Sequence, residues 1–210
     1  MEGCDVSIRG RILGVMVAGA VLATGTLMSG PSVAEGERDP LAPSAQARFQ
    51  QLRQSIELRS SQYDLDWTWV AAVAFQESGF DASARGPGGH IGVMQIAPET
   101  AASVVVSIPE VDRPDDNIHA GVRYLRYIID KYYSEPGIAE SDRMMMAVAS
   151  YQAGPLYIQQ ARGWAQTHGL DADRWFGGVE VAVRKLYGNH TPEYVEDVAF
   201  YRQLLAAQAP

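Results

Sequence analysis

The sequence has 210 residues, of which 47% are hydrophobic and 20% charged, and its formal net charge is −8. That balance describes a globular chain of one domain with short extensions, not a disordered one. The acidic excess argues against nucleic acid or an anionic membrane surface as the main partner.

Residues 1–34 read apart from the fold. Arg9 and Arg11 precede an apolar stretch from Ile12 to Met28, and Ser29-Gly30-Pro31 breaks it. Ser32-Val33-Ala34 then supplies the small-x-small pattern of signal peptidase cleavage, so Glu35 is the expected first residue of an exported chain. The alternative is an uncleaved membrane anchor, since the stretch approaches the ~18 residues needed to span. Cys4 lies ahead of the apolar core, where a lipoprotein cysteine would follow it. Cleavage removes this one cysteine, leaving no thiol for a disulfide or a metal site. Residues 35–44, with two prolines and mixed charge, read as a linker, and 45–210 as the folded domain.

Helices follow one another from there. Ala45–Tyr63 carries Phe49, Leu52 and Ile56 at helical spacing. The run Trp67–Gln76 is apolar nearly all round, with Asp66 as an N-cap candidate and Gly79 as a C′ residue. Asp81–Ile91, holding Gly86, Pro87, Gly88 and Gly89, reads as a Gly-rich loop beside the site. Pro98 suits the first turn of a helix to about Val106. Asn117–Tyr133 presents Val122, Leu125, Ile129 and Tyr132 on one side, and Pro136-Gly137 ends it. Ser141 reads as the N-cap of a helix spanning Met144–Gln152, Pro155 starts another that stops near Gly169, and Thr191-Pro192 begins the last. The best strand candidate, Ser103–Ser107, is too isolated to pair. The expectation is a mainly α fold without internal repeats.

Glu77 is the residue that needs explaining. It sits in the last turn of the most hydrophobic helix, against the negative end of the helix dipole and among aromatics. Both effects disfavour its ionised form and raise its pKa, as a general acid requires. Position alone leaves an ordinary helix-end carboxylate open. The motifs downstream narrow the choice: Glu77-Ser78, then Gly92-Val93-Met94-Gln95, then Ala149-Ser150-Tyr151-Gln152-Ala153-Gly154, then Thr191-Pro192-Glu193-Tyr194-Val195.

In this order and spacing, the set resembles the catalytic domain of the soluble lytic murein transglycosylases. Their pattern runs Glu-Ser, Gly-Leu-Met-Gln, Ala-x-Tyr-Asn-Ala-Gly and Glu-Thr-x-x-Tyr-Val. The stretch Gly169-Leu170-Asp171 to Arg174-Trp175-Phe176 and Val179-Glu180 is most similar to the F-type membrane-bound enzymes. The resemblance runs from about Gln62 to the C-terminus and implies a lysozyme-like multi-helix domain. F-type enzymes carry a solute-binding-protein-like domain ahead of the catalytic one, and at this length none is expected within the 210 residues. Four positions depart from the pattern. Val93 replaces Leu, Gln152 replaces Asn, Gly86 stands where a Ser near the acid is usual, and His190 occupies the place of the last motif's Glu. In relatives that Glu is associated with the peptide stem.

The resemblance implies a route with one carboxyl. Glu77 protonates the oxygen linking N-acetylmuramic acid to N-acetylglucosamine, then acts as base on the C6 hydroxyl, which closes a 1,6-anhydro ring without water. Glycosidases usually place two carboxylates across the bond, and here only Asp81 lies near in sequence. A lysozyme-like hydrolase using Asp81, and a non-catalytic peptidoglycan-binding protein, stay open as rivals.

Ser78, Gly92, Met94, Gln95, Tyr151, Gln152 and Tyr194 form the expected substrate-binding set. Gln95 offers an amide for an N-acetyl or hydroxyl group. Gly92 allows close backbone approach to the glycan, and Met94 suits core and groove wall alike. Tyr151 is the expected hydrogen-bond partner of the Glu77 carboxyl, with Tyr194 as a second groove residue. Trp67, Trp69, Trp164 and Trp175 fall on helical faces with other apolar residues and read as core. His90, His119 and His168 lack metal-ligand spacing, so neither metal nor cofactor is expected. The expected partner is the glycan strand of peptidoglycan.

Overall fold

Local capping chemistry sets the central helix. Asp66 accepts from the Thr68 N–H at 2.9 Å and from its hydroxyl at 2.6 Å, and the helix runs Trp67–Ser78. Gly79 stops it in the left-handed region at φ 59°, donating to the Phe75 carbonyl at 2.7 Å. In the computed structural model, residues 41–108 and 110–208 are described; the leader and most of the linker lie outside them. Eight α-helices follow in order: α1 (Pro43–Gln62), α2 (Trp67–Ser78), α3 (Pro98–Ala102), α4 (Pro114–Tyr132), α5 (Glu140–Ala153), α6 (Pro155–Thr167), α7 (Glu180–Tyr187) and α8 (His190–Ala206). Among the described residues there is no strand, only isolated bridges from Ile91 to Arg85 and to Ile96. The mainly α expectation holds.

Burial explains the layout. Val70, Ala71, Ala72, Val73 and Ala74 of α2 are fully buried, and their small size lets α1 and α8 pack closely along it. Phe49 of α1 closes one end, its ring 5.2 Å from Phe80 and 6.1 Å from Trp67. α5 and α4 complete the core with Met146, Val148, Leu125 and Ile128. Trp69 and Trp175 are buried as expected; Trp67 and Trp164 are only partly so, Trp67 lying under Arg53 and Trp164 stacking on His168.

Several boundaries differ from the sequence reading. α3 ends at Ala102, not near Val106, because the Ser103 hydroxyl turns back to the Thr100 carbonyl at 2.6 Å and starts a turn. α4 begins at Pro114, which puts Asp115 and Asp116 in the first turn at the positive end of the dipole. That shift places Asn117 inside the helix. α5 starts at Glu140, ahead of Ser141, and Ala139 gives it no side-chain cap. α7 is an addition to the expected elements; it follows a wide turn at Trp175–Val179 and buries Ala182 and Val183.

Candidate active site

Glu77 lies in the last turn of α2, as its sequence position implies, and is partly buried. The Tyr194 hydroxyl donates to Glu77 Oε1 at 2.5 Å, reaching across because α8 lies along α2. Burial pushes the Glu77 pKa upward; the Tyr194 bond and the nearby imidazole of His90 draw it partly back. Among the described residues, no second carboxylate contributes to that shift. Burial and the Glu77 charge push both Tyr194 and Tyr151 well above the ordinary phenol value, so each stays protonated and able to donate.

The expected partner of the acid is therefore corrected. Tyr151 does not bond Glu77; its hydroxyl donates to the Met94 carbonyl at 2.7 Å. Tyr151 still lies close enough for the Glu77 charge to act on it. Both tyrosines line one site, but packing of α8 against α2, not motif order, decides which touches the carboxyl.

The Gly92–Gln95 turn is pinned from three helices. Ser78 of α2 donates from Oγ to the Val93 carbonyl at 2.7 Å. Asn117 of α4 accepts from the Met94 N–H at 2.8 Å and donates to the carbonyls of Ile91 at 2.8 Å and Val111 at 3.1 Å. Tyr151 of α5 takes the Met94 carbonyl. Ser78 thus braces the turn. Gly92, at φ 75°, leaves room for Asn117, whose Nδ2 would lie 2.7 Å from an added Cβ. One close approach it allows is to Asn117. Met94 resolves as core: it is fully buried and packed so tightly on Gly121 that a Cβ there would overlap its sulfur.

Gln95 sits in the left-handed region at φ 45°, a conformation held by that bracing. Its Nε2 donates to the Gly92 carbonyl at 2.8 Å, and its Oε1 occupies the space a side chain on Gly86 would need. In this chain Gly86 accommodates the Gln95 amide oxygen. Gln152 accepts from the Thr191 hydroxyl at 2.8 Å and ties α5 to the start of α8, one turn from Tyr194. Asp81 is turned to the Ser83 N–H and hydroxyl at 2.8 and 2.7 Å, which lower its pKa.

Sequence reasoning misses Asn117, the contact made by Tyr194 and the influence of His90. Asn117 carries a signal: a polar residue in the buried stripe with Ile118, Gly121 and Val122. His90 has none beyond its place in the loop. Among the described residues no group of three His, Cys, Asp or Glu could hold a metal ion.

One variant checks the corrected geometry. Tyr194→Phe removes the donor that stabilises the carboxylate, so the Glu77 pKa rises further and the limb it governs in the pH–rate profile moves to higher pH. Folding should lose about 0.5–1.5 kcal/mol. A superimposable profile at full rate would remove Tyr194 from the site. Tyr151→Phe is the matched comparison, expected to act through the Met94 turn and to leave that limb in place.

Comparisons with known proteins bear on the family and the fold. The family model described as the transglycosylase SLT domain matches residues 54–172. The membrane-bound lytic murein transglycosylase F of Cellvibrio japonicus is 32% identical over 143 residues, covering 68% of this chain and 28% of that protein. The one of Nitrosospira multiformis is 39% identical over 127 residues, covering 57% of this chain and 25% of that protein. The chain thus spans roughly a quarter of the length of these curated relatives. The lytic transglycosylase Slt of Pseudomonas aeruginosa, solved as an inactive Glu-to-Gln mutant, superposes with a TM-score of 0.54 at 26% identity, over 75% of this chain and 25% of that one. The 70 kDa soluble lytic transglycosylase of Escherichia coli shares the fold, with a TM-score of 0.57 at 24% identity over 74% of this chain and 24% of that one. The chain belongs to the transglycosylase SLT domain family.

Proposed function

We propose that the chain is a peptidoglycan lytic transglycosylase that cleaves the β-1,4 bond between N-acetylmuramic acid and N-acetylglucosamine without water. The observation that carries this reading is the Glu77 carboxyl itself: raised in pKa by burial, held by one phenol, and with no second carboxylate among the groups that act on it. Family membership and the names of the relatives support it.

In this mechanism Glu77 begins protonated and gives its proton to the glycosidic oxygen as the C1–O bond breaks. The 2-acetamido group of the muramic acid stabilises the cationic centre. Glu77, now a carboxylate, takes the proton of the C6 hydroxyl, and O6 bonds to C1 to close the 1,6-anhydro ring. Atoms and protons balance with no water entering. Tyr194 suits both halves, because a phenol donates to either protonation state of the acid. The partial burial of Glu77 strengthens that bond. Gln95 and Gln152 supply amides toward the sugar N-acetyl and hydroxyl groups, while Ser78 and Tyr151 hold the turn that carries Gln95.

A cell-envelope location goes with this function, the chain being exported by residues 1–34 and associated with the membrane if that leader is retained. No helix among the described residues is long and apolar enough to cross a membrane.

Digestion of purified sacculi with mass spectrometry of the chain ends tests the proposal. Anhydro-muramic ends are expected. Reducing ends would assign a hydrolase, and no products would leave a binding protein.

A further inference from the structure

A recess of about 190 Å³ opens beside the residues that hold Glu77, lined by Ala153, Tyr157, Ile158, Val183, Tyr187 and Thr191. Two of these tie it to the candidate site. Ala153 directly follows Gln152, and Thr191 donates to the Gln152 side chain at 2.8 Å. Tyr194, one turn further along α8, bonds Glu77. Thr191 of the recess thus lies one helical turn from the tyrosine that bonds the acid.

The lining is unusual for free surface. Tyr157 of α6 is 52% exposed and Tyr187 of α7 is 43% exposed, although each ring has apolar neighbours beneath it. The rings stand edge to face, with centroids 5.3 Å apart and planes at 87°. The Tyr187 hydroxyl donates to Gln160 Oε1 at 2.7 Å, which fixes the ring's direction. Ile158 and Val183 form a fully buried floor. No ionic side chain lines the recess. Rigid aromatic walls with polar tips over an apolar floor suit a ligand having one apolar face and a polar edge. A pyranose ring has that character, its axial C–H groups forming the apolar face and its hydroxyls the edge.

We propose that this recess is a saccharide subsite that takes the apolar face of one N-acetylhexosamine ring of the strand cut at Glu77; the inference rests on the glycan-cleaving function proposed for the chain. At about 190 Å³ the recess is smaller than the ~300 Å³ at which pockets enclose a whole small ligand, so it grips one face and leaves the strand in its groove. A charged stem peptide finds no ionic partner in the lining. The subsite adds affinity for long strands and leaves bond cleavage to Glu77.

The test uses Tyr157→Ala and Tyr187→Ala, singly and combined, in co-sedimentation with purified sacculi and with strands stripped of stem peptides. The double variant is expected to bind both materials about 10-fold or more weakly and to raise KM by a similar factor. Its kcat at saturation and its melting temperature should stay near wild type, because both rings are already half in solvent. Tyr187→Phe keeps the ring's apolar face but loses the bond that fixes its direction, so it should bind more weakly than wild type yet better than Tyr187→Ala. Unchanged binding by the double variant overturns the proposal, and so does a loss confined to stem-bearing sacculi, which would make this a peptide site. If wild type yields no anhydro ends, the proposed activity fails, yet sedimentation still decides the recess: weaker binding by the double variant supports it, and equal binding overturns it.

Discussion

Glu77→Gln should lower turnover by about 10²-fold or more while leaving the protein folded. Gln keeps the shape of the side chain and cannot donate the proton. Stability supplies an independent check. The folded-state pKa of Glu77 is raised, so the native state holds this proton more tightly than the unfolded chain does. Stability from this group is fully present below the ordinary carboxyl range and is lost as pH rises through the elevated native value. Above that elevated value the wild type bears a partly buried charge that the amide does not. Glu77→Gln should therefore melt at or above the wild-type temperature there, with the advantage vanishing in acid. Retained turnover with a native melting temperature would end the assignment. A lower melting temperature than wild type on the alkaline side of that value would contradict the burial argument.

Asn117→Ala should produce a large loss of stability. The side chain is 1% exposed and satisfies three backbone groups, the Met94 N–H and the carbonyls of Ile91 and Val111. Removing it leaves those groups buried or partly buried without their partner. At about 1–3 kcal/mol for each unsatisfied group, a total near 3 kcal/mol or more is expected. That is a large share of the roughly 5–15 kcal/mol that stabilises a domain. Asn117→Asp separates geometry from volume. It keeps the acceptor for Met94 but turns an oxygen toward two carbonyls, so it too should destabilise. Activity should fall further than the unfolded fraction explains, because the turn bearing Gln95 loses its anchor. Denaturant titration together with kcat/KM at low temperature checks both effects. An Asn117→Ala protein as stable and active as wild type would show that the turn is held without it.

The sequence is most legible where the chemistry is local. Both ends of α2 can be read because an Asx-type cap and a left-handed glycine act within four residues of the helix, and the family motifs locate the acid. The wide turn at Trp175–Val179 hides α7, although Val179, Ala182, Val183 and Leu186 carry helical spacing. Tertiary contacts are less legible. Two tyrosines from two helices are both plausible partners for Glu77, and only the packing of α8 on α2 distinguishes them. Gly86 shows the same limit. Its sequence reports a missing hydroxyl, whereas the structure fills that space with the Gln95 amide oxygen. Ser78, Gly92 and Met94 read as substrate contacts in the sequence because motif residues cluster around a site. In the structure, three of the motif's four parts contribute to holding one turn in place.

The central claim is that one carboxyl serves as acid and then base with the substrate's own C6 hydroxyl as nucleophile. Digesting purified glycan in heavy-oxygen water and weighing the products by mass spectrometry tests it directly. Anhydro ends carrying no oxygen from solvent are the expected products. A heavy oxygen incorporated at every new reducing end would show that water is the nucleophile and contradict the claim.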